Sequence, residues 1–299
     1  MNFHSKLPSD IIGLTTPSPV SRRSFFMTAS AAAAAGYTLA AGPVRAQAIT
    51  TDTTGLKVGD GKVKVAGGEM PVYFARPEKA KNPPVVLVAM EIFGLHEYIK
   101  DVTRRLAKAG AFAIAPDYYF RSGQDLTKVT DMPKLMPIVN AKPDAELLAD
   151  LDATVAWAKS QGGNTRRLGI LGFCRGGRTV WEYAAHNKNL RAGVAFYGSL
   201  VDPPAQKEGG RWPKSPTELA PEMKASVLGL YGEADQGIPV AQVDAMKEAL
   251  TKAKKKAEWK LYPGAPHGFH ADYRPSYRKE AADDAWKMAL DFLKKNKVL

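Results

Sequence analysis

The sequence predicts an α/β fold, a doubly wound and mostly parallel sheet with helices on both faces. Two patterns and one motif carry this expectation. From Val85 onward, short continuous apolar runs alternate with longer amphipathic stretches, as strands buried on both faces alternate with crossover helices. The strand–helix order repeats, and right-handed crossovers turn such a repeat into one sheet covered on both sides. The motif is Gly172-Phe173-Cys174-Arg175-Gly176, a glycine-flanked turn between the apolar run 168–171 and a helical segment, 177–185.

Taken in order, residues 49–60 read as a loose arm, and 62–75 alternate about Gly67-Gly68 as a hairpin does. Residues 85–89 form a buried strand, 97–109 a helix stopped by Gly110, and 111–115 the next strand. A long helix is expected over 144–160, then strand 168–171 into the cysteine turn. Strands 192–197 and 226–231, helix 240–252, strand 257–261 and a C-terminal helix complete the pattern. In that last helix Trp286, Leu290 and Leu293 recur at i, i+4 and i+7 and are expected in the core. Residues 201–223, rich in Pro, Gly and Lys, have no periodicity and are expected to form an excursion over the functional end of the sheet. No internal repeat and no second domain is visible.

The N-terminal segment has a different character. Ser21-Arg22-Arg23-Ser24-Phe25-Phe26, an alanine-rich stretch over 29–41 and Ala46-Gln47-Ala48 follow one another, in the order of a twin-arginine export signal with a small-residue cleavage site. A signal peptide is therefore expected over residues 1–48, and a mature domain over 49–299, delivered to a periplasm by the twin-arginine machinery. No later stretch is long and apolar enough to span a bilayer, so stable membrane insertion is not expected. A single cysteine cannot form an internal disulfide in an oxidising compartment, which suggests that the thiol is wanted. The formal charge is +12, and losing four basic residues and one acidic residue with the signal leaves +9. The excess lies partly in Lys252, Lys254, Lys255 and Lys256 and in Lys294, Lys295 and Lys297, runs that mark solvated helix faces. Without an aromatic-interleaved patch, this charge steers anionic small molecules rather than nucleic acid.

Strand, Gly-x-nucleophile-x-Gly and helix together make the nucleophile elbow of the α/β-hydrolases, with Cys174 in the nucleophile's place. The turn lifts the sulfur above the sheet, and the positive end of the following helix stabilises negative charge there. A thiolate needs a base, and the base an orienting acid. These folds order nucleophile, acid and histidine along the chain, which leaves His267 and His270 and favours His267, in the loop Tyr262-Pro263-Gly264-Ala265-Pro266-His267 after the last strand. His270 is expected in a supporting or surface role, and His186 as a helix C-terminal cap. Asp235 follows strand 226–231 in a turn that suits a short acid, with Glu233 as its competitor. The histidines lack ligand spacing and the chain has no phosphate loop, so neither a metal nor a cofactor is expected.

Glu91-Ile92-Phe93-Gly94, Gly172-Phe173-Cys174-Arg175-Gly176-Gly177, Gly232-Glu233-Ala234-Asp235 ahead of Ile238-Pro239, and Pro266-His267-Gly268-Phe269 occur here in sequence. Together they resemble the dienelactone hydrolase (carboxymethylenebutenolidase) family, over nearly the whole mature chain. The resemblance implies an α/β-hydrolase fold and hydrolysis of a lactone or of an enol or carboxylic ester through an acyl-cysteine, on a substrate that is small and anionic. It makes Cys174 the nucleophile, Asp235 the orienting acid, His267 the base and Glu91 a carboxylate beside the thiol. Ile92 and Arg175 would supply oxyanion-hole N–H groups, and Arg121 a contact to the substrate carboxylate. The family's second carboxylate-binding arginine falls where this chain has Ala271, and Arg274 is the nearby substitute. A thioesterase or peptidase with the same three residues, or a non-catalytic binding or thiol-sensing protein, are the competing expectations. A monomer or small oligomer is compatible with all of them.

Overall fold

The computed structural model describes residues 49–207 and 210–299; the expected signal peptide, residues 1–48, lies outside the described residues. The strands are β1 (Leu56–Val65), β2 (Gly68–Pro77), β3 (Pro84–Ala89), β4 (Phe112–Pro116), β5 (Asn164–Phe173), β6 (Leu190–Phe196), β7 (Ser226–Gly232) and β8 (Ala257–Tyr262). They form one sheet in the order β1-β2-β4-β3-β5-β6-β7-β8. β2 pairs antiparallel with β1 and β4, and the remaining neighbours run parallel. Every residue of β3 and β4 is buried, the expected fate of continuous apolar runs in a sheet covered on both faces. β1, at the antiparallel edge, is mostly half-buried or exposed.

The covering of both faces can be read from β5 and β6. A side chain at Gly169 would meet Leu293 and Val298, whereas one at Gly193 would meet Val180. Gly193 pairs with Ile170, the residue after Gly169, and successive strand residues point to opposite faces. The elbow helix (Arg175–His186) and the C-terminal helix (Lys279–Lys295) therefore cover opposite faces, as the strand–helix alternation predicts. Helix Glu97–Lys108 packs on β2 and β4, and helix Asp144–Ser160 on β1, β4 and β5.

The structure adds to the sequence reading or departs from it at several points. β1 begins at Leu56, so the arm is shorter than residues 49–60; Gly59, Asp60 and Gly61 hide a strand whose ladder with β2 runs unbroken. A helix forms over Met132–Ala141 despite Pro133 and Pro137. In the C-terminal helix the buried line is Ala282, Ala285, Ala289, Phe292 and Leu293, with Trp286 and Leu290 only partly buried at its margin. The small alanines let that helix approach the sheet closely, and periodicity of large residues alone misses them. Finally, the excursion over 201–223 is pinned to the elbow helix: Arg178 bonds Asp202 at 2.7 Å, and the Arg175 and Arg178 guanidiniums stack on Trp212 at 4.4 and 4.7 Å.

Candidate active site

β3 lies between β4 and β5, so successive connections run to opposite sides of it and the C-terminal ends of β3 and β5 form a topological switch point. Parallel α/β sheets hold their ligands at such a switch point. Glu91 and Ile92 follow β3, Cys174 follows β5, Asp235 follows β7 and His267 follows β8. Residues far apart in sequence thus meet at one edge because all four strands point the same way.

Cys174 has φ 55° and ψ −118°, a conformation that costs a non-glycine residue about 1–3 kcal/mol and persists only where packing enforces it. The enforcement is visible at the flanking glycines. A Cβ on Gly172 would stand 2.3 Å from Gly176 O, and one on Gly176 2.1 Å from Ala89 O. The Cys174 N–H donates to Phe196 O at 3.0 Å, and Arg178 N–H donates to Cys174 O at 3.2 Å. Arg175 is the first residue of the elbow helix, where a backbone N–H has no acceptor within the helix. Its side chain is committed elsewhere, to Asp144 and Glu182. Ile92 is buried directly after Glu91.

His267 Nδ1 donates to Asp235 Oδ2 at 2.7 Å. Asp235 Oδ1 accepts the N–H groups of Gly237 and Ile238, each at 2.9 Å, so the acid is held by its own turn. Cys174 interacts with the same imidazole. Burial opposes a charge on His267, but the Asp235 carboxylate and the Cys174 sulfur outweigh it and hold the imidazolium well above the usual histidine range. Glu233, the competing acid, is exposed.

Glu91 is buried, and its Oε2 accepts from Tyr273 Oη at 2.7 Å and meets His96 Nε2 at 3.1 Å. Burial disfavours its charge, yet the His96 contact, the Arg274 guanidinium and the Tyr273 hydroxyl bring its carboxyl down to about 2. Glu91 is thus turned to this polar cluster. Arg274 is buried between the rings of Phe93 and Tyr273, at 4.4 and 4.7 Å. Its Nε and Nη1 have no hydrogen-bond partner, while Glu91 and Cys174 both act on its charge.

Arg121 is placed differently from the expectation of a substrate contact. It makes a fork to Asp150, 2.8 Å from each nitrogen, and donates to Ala66 O at 2.6 and 3.0 Å. There it lines a surface hollow with Lys64, Val65 and Glu146, facing the hairpin rather than the Cys174 cluster. The physical reason is the nearby Asp150, a ready bidentate partner that sequence spacing does not reveal.

Three groups escape the sequence reading. His96 and Tyr273 hold Glu91, and Tyr98 Oη meets His270 Nδ1 at 2.6 Å. His270 is enclosed by Phe173, Phe196 and Trp286, and burial, with Arg105 near by, pushes its pKa down to about 3. Only Tyr273 had a signal, as the neighbour of Arg274. His186 pairs with Asp152 at 2.7 Å on the surface. Among the described residues no group of three His, Cys, Asp or Glu is placed to hold a metal ion, and no helix is long and apolar enough to cross a membrane.

The chain matches the model of the dienelactone hydrolase family over residues 70–297. It is 48% identical over 289 residues to a protein of Methylorubrum extorquens provisionally named carboxymethylenebutenolidase, covering 96% of this chain and 97% of that one. A Bradyrhizobium protein provisionally named 2-oxo-3-(5-oxofuran-2-ylidene)propanoate lactonase is 34% identical over 223 residues, or 74% of this chain and 88% of its own. The crystal structure of a provisionally named dienelactone hydrolase of Klebsiella pneumoniae superposes with a TM-score of 0.77 at 45% identity, over 80% of this chain and 99% of that one. The fold is that of the α/β-hydrolases.

Proposed function

We propose that this chain, which belongs to the dienelactone hydrolase family and is a hydrolase of that kind, cleaves a small carboxylic ester or lactone through an acyl-cysteine. The observation that carries the reading is Cys174 in a strained elbow beside the His267–Asp235 pair. Cys174 sulfur attacks the carbonyl carbon, and the negative oxygen is received by the N–H groups of Ile92 and Arg175, aimed at charge that exists only in the transition state. Collapse of the adduct breaks the C–O bond, with the His267 proton available to the departing oxygen. Water, deprotonated by His267, then releases the acid and returns the thiol. An enol or lactone oxygen leaves more readily than an amine, which matches a sulfur nucleophile to esters rather than peptides.

The buried Arg274 guanidinium, with hydrogen-bonding capacity left at Nε and Nη1, supports an anionic substrate whose carboxylate it would receive. Glu91, held by Tyr273 and His96, is the neighbouring charge that an entering carboxylate would displace from Arg274, bringing Glu91 toward the thiol. Export through the twin-arginine pathway would put this activity in the periplasm, on whatever small esters reach it.

The test is a panel of activated esters and lactones, with and without a distal carboxylate, followed by mass spectrometry of the trapped enzyme. The expected result is turnover with an acyl adduct on Cys174, and loss of both in Cys174→Ala. A Cys174→Ala protein with wild-type turnover would refute the acyl-cysteine.

A further inference from the structure

The arm before β1 is bound to the body of the protein. Thr51 donates its N–H to Asp101 Oδ1 at 2.6 Å and its hydroxyl to Oδ2 at 3.2 Å. Lys108 bridges Asp52 Oδ1 and Thr54 O, both at 2.9 Å. The arm therefore runs along helix Glu97–Lys108, and its first described residue, Ile49, arrives beside a second buried acid, Asp272.

The charges at this point do not balance. Arg105 joins two acids, with Nε on Asp101 at 2.6 Å and Nη2 on Asp272 Oδ2 at 2.8 Å. Arg104 is divided between Asp101 at 3.0 Å and Glu97 at 2.5 Å. Two guanidiniums thus serve three carboxylates. Asp272 is the one left short: its side chain has no exposed surface, and its Oδ1 has no hydrogen-bond partner. Burial raises the Asp272 carboxyl above the usual carboxylate range, with Arg105 and the nearby Ile49 N–H acting against this. The group that would complete the cluster is one more cation on the arm's side.

We propose that Asp272 is the receptor for a new α-ammonium at Ile49, created when a signal-cleaving protease hydrolyses the Ala48–Ile49 bond. The proposal rests on the cleavage site read from Ala46-Gln47-Ala48. Water supplies the hydroxyl that completes the Ala48 carboxyl and the hydrogen that completes the Ile49 amine, which then takes a proton from solvent, since a free α-amino group titrates at about 7.7–8.0. A neutral amide N–H that already acts on the buried Asp272 carboxyl thereby becomes a full positive charge. The effect reaches the candidate site through one peptide: Asp272 is followed by Tyr273, which holds Glu91, and by Arg274. Removal of the leader thus braces the segment that carries the substrate-facing arginine.

Two chains settle it, one beginning at Ile49 and one at Ala46, both released from a removable N-terminal fusion. The chain beginning at Ile49 should melt about 2–4 °C higher at pH 7, the shift that roughly 1 kcal/mol of added stability produces in a domain of this size. The difference should vanish when Asp272→Asn is introduced into both. Independently of that variant, the ¹³C-methylated α-amine of the Ile49 chain should titrate well above ~8 in a pH series followed by NMR. Equal melting temperatures together with an ordinary α-amine titration would overturn the pairing. N-terminal sequencing of the exported protein tests the premise separately: a native start other than Ile49 removes the maturation role even if the engineered pair differs. None of these readouts depends on ester turnover, so an inactive enzyme would count against the proposed reaction and not against the ion pair.

Discussion

Arg274 is a buried guanidinium with two nitrogens that no described group hydrogen-bonds, while Arg121 spends its fork on Asp150. A buried cation left in this state costs stability unless something repays it, and a substrate carboxylate is the chemistry that fits a planar fork. The two arginines therefore make opposite predictions. Arg274→Ala should lower kcat/KM for an ester bearing a free carboxylate by about 2–4 kcal/mol of transition-state stabilisation, roughly 30- to 1,000-fold. It should change the corresponding neutral methyl ester far less, and Arg274→Lys should restore only part of the loss. Arg121→Ala should affect both substrates equally and little, through the packing of the hairpin. Kinetics on the matched pair of esters decide the matter; equal losses on both substrates in Arg274→Ala would take the carboxylate away from this residue.

The elbow between β5 and the helix Arg175–His186 places the sulfur, and it tolerates almost no change in its glycines. An alanine at Gly176 would put a Cβ within 2.1 Å of Ala89 O and 2.7 Å of Met90 O, both main-chain atoms that cannot yield like a side-chain tip. Gly176→Ala should accordingly cost several kcal/mol or abolish soluble expression, whereas Gly162→Ala, where nothing lies within 4 Å, should cost only about 1 kcal/mol for its positive φ. Denaturant titration of the two variants checks this, and a Gly176→Ala protein as stable as wild type would contradict the close approach. The elbow is also where sequence and structure agree most fully, because a tight turn between a buried strand and a helix demands glycine at fixed offsets. The parallel strands were equally legible, since burial on both faces leaves an unmistakable apolar run. β1 was half hidden because an edge strand can carry Gly59, Asp60 and Gly61. Arg121, His96 and Tyr273 were not legible at all as to partner. Their partners, Asp150 and Glu91, are chosen by how loops from different strands fold over the sheet edge, and spacing along the chain holds no record of that.

Across the molecule, the parallel strands gather buried polar groups at one edge, and two of them make the fold sensitive to acid. His270 has its pKa pushed down to about 3 by burial and nearby Arg105, against about 6.5 in an unfolded chain. Unfolding therefore takes up a proton between those values, and the stability it represents is lost as pH falls from 6.5 toward 3. Glu91, brought down to about 2 by His96, Arg274 and Tyr273 against the cost of burial, loses its contribution as pH falls from about 4.5 toward 2. Asp117 acts in the opposite sense, since burial raises its carboxyl to about 6, but its effect is exhausted once the pH drops below the unfolded value of about 3.9. In the window between about 3.9 and 3, His270 and Glu91 thus act together with Asp117 no longer opposing them, and the melting temperature should fall steeply there. His270→Gln keeps a side-chain amide within reach of Tyr98 but cannot be protonated. Its melting temperature should therefore fall less between pH 6 and 3.5 than that of the wild type, by the equivalent of about one proton, while the response attributable to Glu91 remains. Parallel curves for the two proteins over that range would mean that His270 is not held neutral by its surroundings, and that acid opens the fold somewhere other than the aromatic cage behind the candidate site.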